Sequence, residues 1–327
     1  MRLITAQTAE MKHVACIALL VALVLSSGCI EEGNGPGETP TRQSRIPANA
    51  TKMTPGMDNH PAELHSDEWE EPVPMPGPVN TAGAEDSPFI TPDGQDFYFV
   101  FVPDVSVPPE GQILDGVTGI YHCHRNGTGW TEPERVVLCD DLSLDGCHFV
   151  QGNEMWFCSV RKGNMREIDI YTAEFKSGRW TSVKSAGKKL NIDYMVGELH
   201  ITCDGEELYY HSERPGGRGG TDIWVTRKVD GEWQEPENVE AVNTEVWEGM
   251  PFVSCDGEEL WFNRWYQGTP GIFRCSREGD GWGEPELILS TFAGEPTLDD
   301  EGNLYFVHHY YEDGVMIEAD IYVCYRK

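Results

Sequence analysis

The feature that most constrains this chain is an internal repeat. Five segments turn through small or acidic residues into a tryptophan: Ser66-Asp67-Glu68-Trp69, Gly127-Thr128-Gly129-Trp130, Lys176-Ser177-Gly178-Arg179-Trp180, Asp230-Gly231-Glu232-Trp233 and Gly279-Asp280-Gly281-Trp282. Consecutive tryptophans of this set lie 61, 50, 53 and 49 residues apart. A second signature interleaves with the first. Asp93-Gly94, Gln151-Gly152, Asp204-Gly205, Asp256-Gly257 and Glu301-Gly302 each sit shortly before an apolar triplet, from Phe97-Tyr98-Phe99 to Leu304-Tyr305-Phe306. Asp-Gly between two apolar runs signals a hairpin, because both central residues need positive φ. A third element follows each hairpin: Gly119-Ile120-Tyr121, Asp169-Ile170-Tyr171, Asp222-Ile223-Trp224, Gly271-Ile272-Phe273 and Asp320-Ile321-Tyr322. Each unit therefore reads strand a, tight turn, strand b, loop, strand c, glycine turn, strand d. Four short strands at this period predict a β-propeller blade.

The ends of the repeat predict how the ring closes. The last unit runs through strand c to Lys327 without a strand d, and the first tryptophan segment has no a, b or c before it. Pairing that N-terminal strand with the last three strands leaves no open edge. The expected fold is all-β: one five-bladed propeller over residues 67–327, with an N-terminal strand completing the last blade. A sixth blade would need a sixth hairpin, and none is found.

One unit carries a longer pattern. Gly197-Glu198-Leu199-His200-Ile201-Thr202-Cys203-Asp204-Gly205 runs on to Ser212-Glu213-Arg214-Pro215-Gly216-Gly217 and Thr221-Asp222-Ile223-Trp224. This resembles the WD40-like repeat of the TolB-type β-propellers. Blade three has the motif almost whole, and blades two and four have it partially. Blades one and five keep the hairpin and lose the Ser-x-Arg. The resemblance covers 67–327 and implies the fold. It implies little about activity, since that family spans partner-binding scaffolds, enzymes and many proteins without an assigned role.

The N-terminus reads as an address. Val14 to Leu25 is an apolar run of twelve, preceded by Lys12 and followed by Ser26-Ser27-Gly28-Cys29. Spanning a bilayer takes roughly 20 apolar residues, so the run is read as a signal peptide over 1–29. It resembles a prokaryotic lipobox, which implies lipidation of Cys29 and export to the extracytoplasmic side of a membrane. Ser26 departs from the leucine most common there. Residues 30–66, rich in Gly, Pro, Thr and Glu, are read as a flexible linker.

Strand order sorts residues by face. Starts of strand a and ends of strand b lie at the end of the ring that carries the b–c loops and d–a connections. Long loops on one face are where function gathers. That face is expected to hold Glu85, Asp86, Asp145, Glu198, Glu248 and Glu295, with Ser159, Arg161, Ser212, Arg214, Arg264, His308, His309 and Tyr310. Glu198, Glu248 and Glu295 are read as recurring with the repeat, which favours structural roles. Asp145, His148, His200, Trp247, Arg264 and His308 break it. The binding candidates are Arg161, Arg214, Arg264, His200, Trp247 and His308. Core packing is the first expectation for Trp247 and Trp265, with sugar stacking as the alternative.

Charge narrows the partners. Lys plus Arg total 24 against 55 Asp plus Glu, a formal charge of −31. This excludes a phosphate-driven nucleic-acid binder and opposes polyuronate substrates. Asp140, Asp141 and Asp145 are weak candidates for a Ca²⁺ site, offering hard oxygens without EF-hand spacing. Among the cysteines, Cys203 and Cys255 share a repeat position and are expected to lie too far apart to bridge. Cys139 and Cys147 are the expected pair. The leading expectation is a surface-anchored, non-enzymatic propeller binding a protein or glycan. The alternative is a glycoside hydrolase-like enzyme using Asp145, Glu198, Glu248 and Glu295, since glycoside hydrolysis needs a carboxyl pair at a set separation.

Overall fold

A computed structural model describes residues 40–139, 142–191 and 195–327. Five antiparallel sheets follow one another along the chain. Blade one is built from Ala84–Ile90, Asp96–Val102 and Gly119–Asn126, with short outer pairs at Gly129–Trp130 and Glu134–Arg135. Blade two has Leu144–Gln151, Glu154–Val160, Asp169–Lys176 and Arg179–Ser185. Blade three has Val196–Ile201, Glu207–Ser212 and Asp222–Val229, blade four Glu248–Val253, Glu259–Tyr266 and Thr269–Glu278, and blade five Ala293–Leu298, Leu304–Glu312 and Val315–Cys324. The architecture is the five-bladed, all-β propeller read from the repeat. Alternation along strand b explains the core: Phe97, Phe99 and Phe101 face one neighbouring sheet, while Tyr98, Val100 and Val102 face the other.

The N-terminal segment lies against both ends of the chain. Val73 pairs with Val323 and Pro74 with Tyr322, and Trp69 bridges to Arg326. Further upstream, Glu63–Leu64 adds an outer strand to blade four by pairing with Ser290 and Leu289. The linker reading therefore does not describe residues 40–66. Polar composition hid their anchors, which are charged side chains together with Ile46, Met53, Ala62 and Leu64 packed on the core. Arg42 is buried, its guanidinium facing Phe99, Phe101 and Tyr121 at 5.3–5.4 Å and donating to the Val79 carbonyl at 3.0 Å and to Glu85 at 3.5 Å. Lys52 bonds Glu318 at 2.6 Å and also Asp320. Asp58 meets His308 at 2.8 Å.

These anchors answer an irregularity of the repeat. In blade two Arg161 sits over Phe157 and Tyr171 and pairs with Asp145 at 2.7 Å. In blade four Arg264 sits over Phe262 and Phe273 and pairs with Glu248 at 2.9 Å. Blade one lacks that arginine, and Arg42 of the arm takes its place over Phe99 and Tyr121. Blade five lacks it too, and Lys52 meets its acids.

The cysteine expectation is corrected. Cys203 and Cys255 form a disulfide with Cα atoms 5.2 Å apart. Both lie just past the ends of inner strands, and adjacent inner strands converge on the axis, so equivalent positions come within bridging range. Cys147 is a thiol that donates to Glu198 at 3.0 Å, so the Cys139–Cys147 bond is not formed. The bridge closes a loop with a sequence separation of 52. Replacing both cysteines by serine is expected to lower stability by about 2–4 kcal/mol. An unchanged urea midpoint would show that the cross-link constrains nothing the fold does not already fix.

Candidate functional site

Each inner strand carries a β-bulge at the same place. The register shifts after Asp86, Gly146, Gly197, Gly249 and Gly294. The residue that follows each is Ser87, Cys147, Glu198, Met250 or Glu295, and four of these five have φ between 48° and 56°. A bulge re-aims a side chain, and here all five line one cavity of about 50 Å³. Glycine before the bulge leaves room for strand b to press in. A Cβ on Gly197 would stand 2.6 Å from His211 Nε2, and one on Gly249 3.0 Å from His211 Nδ1. His211 Nδ1 thereby reaches within 3.5 Å of Glu198.

Two residues further along each inner strand a second ring forms. Phe89 packs on Phe149 with centroids 5.2 Å apart, Phe149 on His200 at 4.8 Å, and His200 on Phe252 at 4.5 Å. Thr297 completes the circuit by accepting from the Ile90 amide at 3.4 Å. This collar lies towards the tight-turn face.

Electrostatics separates the axial acids. Burial pushes Glu198 well above the ordinary glutamate value, and the neighbouring Cys147 and the Asp86 charge push it further. Burial does the same to Glu295, reinforced by Asp86 and Glu198. Burial also pushes Asp86 up, but His309 and the Glu295 carboxyl outweigh it, so Asp86 lies below its ordinary value. His309 Nε2 is 3.7 Å from Asp86 Oδ1. Neither Glu295 oxygen receives a bond from a hydroxyl, amide or amine. Of the two, Asp86 is the stronger acid and Glu295 keeps its proton to higher pH.

Protons bound in the fold make a pH prediction. Glu198 and Glu295 titrate above their ordinary 4.5 in the folded chain, so the native state binds more protons than the unfolded one over that window. Stability must then fall as pH rises. Glu85, pushed by burial to about 7, acts in the same direction. The urea midpoint is expected to drop between about pH 5 and pH 8, and Glu198→Gln with Glu295→Gln should flatten that slope. An equally steep slope in the double variant would place the bound protons elsewhere.

The residues singled out from sequence are distributed differently. Of the proposed quartet, only Glu198 and Glu295 share the cavity. Asp145 and Glu248 stand earlier on their strands, level with Glu85, and are engaged by Arg161 and Arg264. Counting back from the turn aligned Glu248 with Glu198 and Glu295, although it is two residues further away. Arg161 and Arg264 are held in these ion pairs, and Arg214 bonds the Tyr210 hydroxyl at 3.1 Å over Trp224. His308 is buried under Asp58. His200 is packed in the collar, where burial lowers its pKa to about 3, and accepts from the Val253 amide at 3.2 Å. Trp247 is half-buried beside His211. Asp140 and Asp141 lie outside the described residues. Among the described residues no group of three or more His, Cys, Asp or Glu is arranged to hold a metal ion. Sequence reasoning missed Ser87, Met250, His211 and the axial role of Asp86. The glycines before four of the five bulges were the available signal.

No family model matches the chain, and no curated protein does. Solved structures do. TolB from Acinetobacter baumannii is 15% identical over 76% of this chain and 56% of its own length, with a TM-score of 0.46, so the chain spans about half of that protein. The endo-arabinase from Bacteroides thetaiotaomicron is 15% identical over 78% of this chain and 97% of that one, with a TM-score of 0.47. The catalytic domain of a Coprinopsis cinerea GH62 α-L-arabinofuranosidase is 9% identical over 80% and 97%, also at 0.47.

Proposed function

We propose that this chain is an exported propeller, anchored through Cys29, that binds a partner protein without chemistry through its loop-rich face. One observation carries the reading. Large apolar side chains stand exposed on that face from five segments of the ring: Leu114 and Met165 from b–c loops, Leu142 and Val246 from d–a connections, and Val315 and Ile317 from the blade-five hairpin. Several large apolar side chains exposed at one end of the ring fit an interaction surface. The enclosed axis agrees with it. Pockets that hold small-molecule ligands run to about 300–1,000 Å³, against about 50 Å³ here.

The test is photo-cross-linking in the native membrane fraction. A photoreactive residue at Leu142 or Val246 is expected to yield an adduct of one defined mass. The same residue at Phe175, exposed at the tight-turn end, should yield none. Equal labelling from both ends would overturn the assignment of the face.

A second reading rests on the Asp86–Glu295 pair, because adjacent carboxyls with opposite protonation are what acid–base catalysis uses. Under that reading the chain is a carbohydrate-active enzyme. Release of oligosaccharides from a polysaccharide panel, abolished by Glu295→Gln, would establish it in place of the binding reading.

A further inference from the structure

We propose that the axial cavity is a site for a small primary ammonium ion. The inference is independent of the partner-binding reading. The wall presents Glu198 and Glu295, with Asp86 directly behind, and no lysine or arginine lines the cavity. Glu295 is buried and both of its oxygens lack a donor from any neutral or cationic group. Two acids thus line the cavity with no lysine or arginine beside them.

The form of the void selects the ligand. About 50 Å³ exceeds the 10–15 Å³ that one water requires, and suits an ion of two or three heavy atoms. The acids come from three different blades and do not converge on a point, consistent with the absence of a metal-type cluster among the described residues. An ammonium group has three donors pointing apart, which suits separated acceptors. The rest of the wall includes Met250, the Ser87 hydroxyl and the rings of Phe89, Phe252, His148 and His200. Aromatic faces favour a soft organic cation, and Met250 receives its methyl group. Glu198 keeps 12% of its side chain exposed and marks the way in.

Entry of the cation expels a proton. Glu198 and Glu295 keep their protons to higher pH than an ordinary glutamate, and an ammonium ion would take the place of those protons. Cys147 bonds Glu198, with Cys158 beyond it. His211 faces Glu198, and burial lowers its pKa to about 4, so it adds no competing charge at neutral pH. His309 faces Asp86. Each proton released makes binding about tenfold tighter per pH unit.

The experiment titrates the purified chain with methylammonium chloride by calorimetry and by thermal shift, at about pH 5 and pH 8. Sodium chloride, calcium chloride and tetramethylammonium chloride serve as controls at matched ionic strength. A saturable rise in melting temperature with methylammonium alone, stronger at the higher pH, is expected. Glu295→Gln should weaken it by at least about tenfold, the loss of a charge-assisted hydrogen bond. Glu198→Gln should do the same, and serves if the first variant does not fold. An equal response to sodium, saturation by calcium without methylammonium binding, or undiminished affinity in the folded variants would each overturn the proposal.

Discussion

Arg42→Ala is expected to destabilise the chain by about 3–5 kcal/mol, the range for removing one member of a buried ion pair. The guanidinium is buried under three aromatic rings and bonds the Pro78 and Val79 carbonyls as well as Glu85. Its loss leaves the Glu85 carboxyl, itself 0% exposed, without a cation, and two carbonyls without donors. For a chain of this size the cost corresponds to a fall of roughly 10 °C in melting temperature. Glu85 would take up a proton near neutral pH, so the loss should shrink in mild acid. Arg42→Lys is not expected to rescue it, because a point ammonium can neither stack as a plane nor fork between a carboxylate and two carbonyls. Protease sensitivity of residues 40–66 gives a second readout. An Arg42→Ala protein with wild-type melting temperature and an intact arm would show that the arm is held elsewhere.

Trp69→Ala is expected to cost about the same, roughly 3–5 kcal/mol, through lost burial and the cavity left behind. Trp69 is 1% exposed. Its indole packs edge-on to Trp261 at 5.6 Å, lies under Arg326 at 4.4 Å and Arg274 at 5.3 Å, and donates to the Gly302 carbonyl at 2.9 Å. It therefore joins blade five to blade four as well as fastening the N-terminal strand. Freed, that strand would uncover the edge of Val315–Cys324, and an unpaired edge invites pairing between chains. The variant should show an earlier urea midpoint together with concentration-dependent association in sedimentation. A monomeric variant with an unchanged midpoint would show that the segment contributes little to the ring.

The fold was legible because its signals are local. An Asp-Gly turn needs positive φ wherever it occurs, and a tryptophan after a glycine turn needs a neighbouring blade to cover it. Five repetitions of these rules left few alternatives. The site was less legible because it depends on breaks in those rules. Counting six to eight residues back from the turn placed Glu248 with Glu198 and Glu295, when it stands two residues earlier on its strand, with Asp145 and Glu85. The disulfide was missed for a related reason. Equivalent positions were treated as a full blade apart, whereas the inner strands near the axis are closer than the blade bodies. The arm was hidden by its composition. Arg42, Lys52 and Asp58 read as solvated charges, yet each finds a buried counter-charge far away in sequence, where no period can reveal it.

The five bulges separate what the ring is from what its centre contains. Blade packing rests on strands b and c and on the collar below, and of the side chains at Ser87, Cys147, Glu198, Met250 and Glu295 only Cys147 belongs to a core cluster. The axis is thus written in five letters, one per blade, and four of them stand outside the packing that gives the scaffold its form. A small set of single substitutions would be enough to spell a cationic, neutral or thiol-rich centre in the same ring.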